Sequence, residues 1–413
     1  MTLGRGRTVA GPLYLLLVAT IAGCGTPLVR HPVPVQLEDQ ARVPNMPDHI
    51  RAWGDQFSPS FQKSILDSVR QAQIAYGSEP PVDVLALSGG GSYGAFGAGL
   101  LCGWSDAGSR PTFRIVTGIS TGAIIAPFAF LGSGYDKDLK ALSTKVTSRD
   151  IFQPKAVLAI LGSDSFTDTA PLVQLLKRYY TAGVLKAIAA ENAKGRRLYI
   201  GTTNLDAQRP VIWDMGAIAS SGSPEAPDLF RKVILASAAI PVYFPPVYLK
   251  VEAGGNHYDE MHVDGGTIDQ VILYGDAGSL RALTRGIEGS GNGRRPNVYV
   301  IRNGKVAPEP AAVQPRVLDI AEVAISTMTK SETLGDLYRI YVAAQRDGLD
   351  FNLASIPADF TFPTSGTFDA FDPKVMKLLF DRGYQLGRVG YRWEKEPPGL
   401  DAGTAATQPH VGK

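Results

Sequence analysis

Histidine and cysteine are scarce in this chain, with five of the first and two of the second among 413 residues. A structural disulfide between Cys24 and Cys102 is not expected, because Cys24 has another use, described below. Charge is sparse and balanced: 41 Lys+Arg against 39 Asp+Glu leave a net charge of +2. With no basic run and no cluster of stacking aromatics, nothing in the chain suits nucleic acid. No internal repeat is present. The 44% of hydrophobic residues suffices for one large domain or two ordinary ones with a real core.

The N-terminus places Arg5 and Arg7 before a short apolar stretch, Pro12–Cys24, which is too short to span a bilayer as a helix and reads as a secretory signal over residues 1–23. Its end, Ile21-Ala22-Gly23-Cys24, resembles the lipobox of bacterial lipoproteins. That resemblance implies that Cys24 becomes the mature N-terminus and carries acyl chains; two or more anchor stably, at about 0.8 kcal/mol per buried CH₂. Gly25 after the cysteine favours the outer membrane, facing the periplasm, as the place of anchoring in the cell envelope. The proline-rich stretch that follows reads as an extended tether over residues 24–56.

A helix is expected over Phe57–Tyr76. Strands and helices then alternate: Val82–Ser88 as a strand, Tyr93–Trp104 as a helix, Phe113–Ser120 as a strand and Gly122–Leu131 as a helix. Further strands are expected at "RRLYIGTTNL", "RPVIWDM", "MHVDGG" and "NVYVIRN", with helices near Asp228–Ser237, over Arg316–Gly348 and over Pro373–Tyr391. Such alternation predicts an α/β layer fold with a mainly parallel central sheet. The domain is assigned residues 57–395 and the polar tail residues 396–413.

Gly89, Gly91 and Gly94 satisfy G-x-G-x-x-G between a strand and a helix, the pattern of a dinucleotide loop. A nucleotide site also needs a carboxylate at the end of the second strand, and that strand ends in Gly118-Ile119-Ser120-Thr121-Gly122. The nearest acid, Asp106, lies in or just after the intervening helix. G-x-S-x-G instead places Ser120 on a tight strand-to-helix turn, exposed at the C-terminal edge of the sheet and at a helix N-terminus that favours an alkoxide. The backbone N–H groups of Gly89, Gly90 and Gly91 would then receive an oxyanion rather than a phosphate.

A serine nucleophile needs a proton acceptor, and here the shortage of histidine decides. His31 and His49 lie in or near the tether, His410 in the tail, and no histidine follows Asp264 within the folded region, so a Ser–acid–His order cannot be built. Asp264 ends a short strand before Gly265 and Gly266, which admit close backbone. His262, two residues earlier on the same strand face, is kept as a helper, and Asn204 and Asp206 as residues of a turn near the site.

Gly89-Gly90-Gly91-Ser92-Tyr93-Gly94, Gly118-Ile119-Ser120-Thr121-Gly122 and Asp264-Gly265-Gly266 resemble, in order, the three signatures of patatin-like phospholipases, and Ala236–Val247 is similar to the stretch preceding the family's aspartate strand. The resemblance covers residues 82–303. It implies a three-layer α/β/α fold and a lipid acyl hydrolase whose Ser120 attacks the ester while Asp264 takes and returns the proton, without metal or cofactor. An acyltransferase or thioesterase with the same dyad, and a lipid-binding lipoprotein without turnover, are the alternatives. One departure stands out: many members carry Arg or Lys where this chain has Tyr93.

Overall fold

The computed structural model describes residues 30–400 apart from 78–79, 157–158, 160–161, 275–276, 281–294, 311 and 363–370. Residues 1–23 and Cys24 fall outside the described residues, as does the tail beyond residue 400. Eleven strands are present among the described residues: β1 (Arg51–Trp53), β2 (Val84–Leu87), β3 (Ile115–Gly118), β4 (Gln153–Pro154), β5 (Thr167–Asp168), β6 (Arg197–Asn204), β7 (Arg209–Asp214), β8 (Val247–Ala253), β9 (Asn256–Asp264), β10 (Asn297–Arg302) and β11 (Asp350–Ser355). Nine of them form one sheet, in the order β1-β7-β6-β3-β2-β10-β11 with the β8–β9 hairpin attached to β6. The strands from β6 through β3, β2 and β10 to β11 are mutually parallel, and helices cover both faces. The expected α/β class with a mainly parallel sheet is what the chain adopts.

Burial explains the parallel centre. β2, β3 and β6 are buried at every position, as strands covered on both faces must be. The β8–β9 hairpin instead alternates buried and open positions along β8, which marks one wetted face. β8 and β11 were not anticipated from the sequence; "DFNLAS" in β11 is too short and too polar at its start to stand out beside a 31-residue helix, Val317–Asp347.

Two helices close the face above the glycine loop. The helix Gly94–Asp106 packs against Pro373–Arg388 so tightly that a Cβ on Gly99 would lie 2.0 Å from the Phe380 carbonyl oxygen, and one on Gly387 would lie 2.3 Å from that of Leu100. The glycines beyond the loop motif therefore serve helix-to-helix approach. Cys102, on the same helix, is buried with its thiol pushed up to about 12 by burial, so it is inert at neutral pH.

The tether expectation needs correction from Arg30 onward. Arg30 pairs with Asp206 at 2.7 Å and Asp259 at 3.0 Å, Arg42 exchanges backbone hydrogen bonds with Glu252 on β8, and Val33 and Ala41 are buried with Val251 and Ala253. Proline lowers the entropy of an extended chain, and this segment uses that economy to line the hairpin. Among the described residues, no helix is long and apolar enough to cross a membrane.

Candidate active site

Ser120 occupies the turn between β3 and the helix Thr121–Leu131 with φ 54° and ψ −123°. A non-glycine residue there costs on the order of 1–3 kcal/mol and persists only when its surroundings hold it. They do: Ile119 N–H donates to the Leu87 carbonyl at 3.2 Å and Gly122 N–H to that of Ile119 at 2.7 Å. Ser120 N–H donates to Ser237 Oγ at 3.0 Å, and that hydroxyl donates to the Gly201 carbonyl at 2.7 Å. Gly122 must be glycine because a Cβ would meet the Leu87 carbonyl oxygen at 2.3 Å, and Gly118 because its Cβ would meet that of Gly122 at 2.4 Å.

The sheet register brings Asp264 to this serine. β3 pairs with β6 only as far as Gly118–Ile200, then turns away at Ser120. The tip of β9 takes over the vacated edge of β6, pairing Asp264 with Thr202. Asp264 is 6% exposed and Ser120 7% exposed. Burial pushes the Asp264 carboxyl up to about 7, against the opposing hydrogen bonds from the Ser120 hydroxyl and from Gly266 N–H, the latter at 2.7 Å. Gly265 is demanded by the Gly201 carbonyl, 2.6 Å from where its Cβ would sit, while a Cβ on Gly266 would meet the movable Gln270 side-chain amide at 2.5 Å.

Of the three loop glycines expected to donate, one does not. Gly89 N–H is already committed to the Gln270 carbonyl at 3.0 Å, so Gly89 is corrected from donor to anchor. Gly90 and Gly91 N–H make no hydrogen bond among the described residues, and neither does Thr121 N–H, which as the first N–H of its helix has no intrahelical partner. Thr121 was missed in the sequence, although the residue after a nucleophile is a usual oxyanion donor. Gly94 lies against Thr121, whose Oγ1 would be 2.4 Å from a Cβ.

His262 is not a helper. Trp213 Nε1–H donates to Thr202 Oγ1 at 2.9 Å, and that oxygen lies 2.9 Å from His262 Nδ1. Its Nε2 faces Glu260 at 3.1 Å, and Glu260 is held by Arg51. Both ring nitrogens are spent, on Thr202 of β6 and on Glu260 of β9, and burial lowers the imidazole's affinity for a second proton. Asp206 serves Arg30 and Met261 N–H, and Asn204 Oδ1 accepts from Ala207 N–H at 3.1 Å as a turn residue. Of Ala236–Val247, Ala239 touches the site by accepting from Asp264 N–H at 2.9 Å. Ile240, Val242 and Tyr243 lie exposed at the surface.

A narrow cavity of about 40 Å³ opens at Gly91, Gly94 and Thr121, and is walled by Ala95, Ile125, Leu142, Val146 and Met376 with Ser143 as the one hydroxyl besides Thr121. The sequence did not reveal it, because its walls come from six helices that share no local pattern.

The three motifs thus meet at one point on the C-terminal edge of a parallel sheet. Residues 85–274, which contain this turn, the free donors and Asp264, match the family model described as patatin-like phospholipase. The chain carries a patatin-like phospholipase domain. The matched segment runs from β2 through β9 and stops before β10 and β11. Among solved structures, the chain is similar to VipD from Legionella pneumophila at 14% identity, covering 75% of this chain and 66% of that one with a TM-score of 0.32. It is also similar to the type III effector protein ExoU at 14% identity, over 78% of this chain and 56% of the other, with a TM-score of 0.19. In each case it spans less than two thirds of the other chain's length. No curated protein matches the sequence.

Proposed function

We propose that this protein is a serine acyl hydrolase acting on esters of fatty acids, phospholipids or lysophospholipids foremost, through Ser120 and Asp264. The observation that carries the reading is the pairing of a strained serine with a buried carboxyl raised to about 7. Such a carboxylate is a proton acceptor near neutral pH, which an ordinary aspartate is not. Ser120 Oγ attacks the ester carbonyl as Asp264 takes its proton, and Gly90, Gly91 and Thr121 N–H receive the oxyanion. Collapse expels the alkoxide with the proton returned by Asp264, and water cleaves the acyl-serine by the same steps.

With the oxyanion at these donors and the leaving group facing Asp264, the acyl chain enters at Gly91, and the apolar slot, about 40 Å³ as it stands, must widen to take a long one. Leu142→Trp is expected to lower turnover of decanoyl relative to butyryl esters by tenfold or more, while a short fluorophosphonate labels Ser120 at the wild-type rate. An unchanged decanoyl-to-butyryl ratio would place the chain elsewhere. The reading as a whole is tested by labelling with a fluorophosphonate probe, where Ser120→Ala should abolish the signal. Wild-type protein that stays unlabelled beside a control hydrolase, or a Ser120→Ala variant that still turns over lipid, would overturn it. The basic start, short apolar stretch and Ile21–Cys24 support a lipid-anchored protein of a bacterial cell envelope, working on the membrane that holds it.

A further inference from the structure

The donor loop is gripped from behind by β10, outside the segment that matches the family. The Gly89 carbonyl accepts from Ser88 Oγ at 2.7 Å and from Arg302 Nη1 at 3.2 Å. Asn303 completes the grip, its N–H donating to Ser88 Oγ and its Nδ2 to the Ser88 carbonyl, both at 2.8 Å. Gly89 C=O and Gly90 N–H belong to one planar trans peptide, so fixing the carbonyl toward Arg302 fixes the N–H to the opposite side. That N–H is one of the free donors at Ser120.

Arg302 is an unusual residue to find there. It is 8% exposed, its Nε is buried without a hydrogen-bond partner, and no carboxylate forms an ion pair with it among the described residues. Burial lowers its pKa to about 10, which still leaves it cationic at neutral pH. Glu309 and Asp336 act on it only through space, and a buried cation without a carboxylate in contact is costly to keep. The structure also answers the departure at Tyr93. That ring turns aside and stacks on Phe362 with centroids 4.8 Å apart, so the motif itself brings no cation to the loop.

We propose that Arg302 is a positioning residue for the oxyanion: it orients and polarises the Gly89–Gly90 peptide, and the negative charge formed during reaction develops on the far side of that peptide, closer in the hydrogen-bond chain than any carboxylate ion pair. A charged hydrogen bond to a peptide carbonyl makes the same peptide's N–H a stronger donor. The gain is realised only when the oxygen becomes anionic, so it acts on the transition state and not on substrate binding. This proposal rests on the Ser120–Asp264 reading.

The test compares wild type with Arg302→Met on kcat, KM, melting temperature and two ligands of equal chain length. One is a trifluoromethyl ketone, which captures Ser120 as an anionic hemiketal, and the other is the neutral, unreactive amide. Arg302→Met should lower kcat about 100-fold with KM unchanged, weaken the ketone by a similar factor and leave amide binding alone. Its melting temperature should stay level or rise, because a buried cation with no carboxylate in contact has been removed. A purely structural role predicts the reverse pattern, with melting temperature, amide binding and kcat falling together, and that result overturns the proposal. So does a folded Arg302→Met protein with wild-type kcat. If the Met variant fails to fold, Arg302→Gln, which keeps a donor without charge, must show the same split, and a folded Gln variant at wild-type kcat again overturns it. Failure of the underlying reading is distinguishable, since wild-type Ser120 would then not capture the ketone at all.

Discussion

Asp264→Asn should lower kcat by about 10³–10⁴-fold and make the protein more stable at pH 8. Asparagine keeps an oxygen to accept from Gly266 N–H, which Asp264 holds at 2.7 Å, yet it cannot take a proton from Ser120. The stability change follows from the raised carboxyl, which stands at about 7 in the folded chain against about 3.9 in an unfolded one. Below pH 4 both states are protonated and the native protein has its full stability. Between pH 4 and 7 the unfolded state gives up its proton while the native state retains it, so stability falls as pH rises. Above 7 the loss is complete, on the order of a few kcal/mol. The asparagine variant avoids this loss, so its melting temperature should exceed wild type at pH 8 and match it near pH 4. Activity runs opposite to stability, because only the carboxylate accepts: wild-type kcat/KM should climb with pH to a plateau above an inflection near 7. Thermal melts at the two pH values and a kcat/KM profile check both arms. Full turnover in Asp264→Asn would remove the dyad.

Gly90→Ala is expected to be the most damaging single substitution in the loop. Gly90 has φ +152°, and a Cβ there would lie 2.0 Å from the Asn303 carbonyl oxygen, backbone that the Ser88 contacts hold in place. The loop must move off β10, and the Gly90 N–H moves with it. One oxyanion donor is worth about 10²–10³ in kcat, and the clash should lower stability by several kcal/mol in addition. Gly91→Ala makes the internal comparison. It has φ +54° but open space around its Cβ, so it pays only the left-handed backbone cost of about 1–2 kcal/mol. Melting temperatures and kcat of the two variants should separate clearly; equal behaviour would mean that the Asn303 contact does not govern the loop.

The sequence was most legible where a motif sits on a strand end. That Ser120 and Asp264 come together could be read because glycine spacing and strand position constrain each other, and a parallel sheet collects such ends at one edge. Gly89 was misassigned because glycine identity reports where backbone must pass, and says nothing of where its N–H is spent; the Gln270 carbonyl that takes it lies 181 positions away. Arg302 and Asn303 were visible in "NVYVIRN" as an ordinary strand end, and only the pairing of β10 with β2 shows that they stand behind the loop. His262 misled for the opposite reason: its place on the strand face was right, but Thr202 and Glu260 had claimed both nitrogens. The N-terminal segment from Arg30 looked like a spacer because its apolar residues have no period, and its partners are on a hairpin more than two hundred residues later.

The sharing of one edge of β6 by β3 and β9 has a mechanical consequence. Ser120 and Asp264 are both indexed to the same ladder, through Gly118–Ile200 and Thr202–Asp264, so they ride as a single unit. One wall of the apolar slot, Ile125, stands on the helix Thr121–Leu131 that starts at Ser120, whereas Leu142, Val146 and Met376 lie on segments that carry neither Ser120 nor Asp264. A shift of the Ile125 wall would move the serine with it, so widening for a bulky chain is expected on the Leu142 side. Tolerance for shape and precision of chemistry thereby share one helix and part company only at the far wall of the slot.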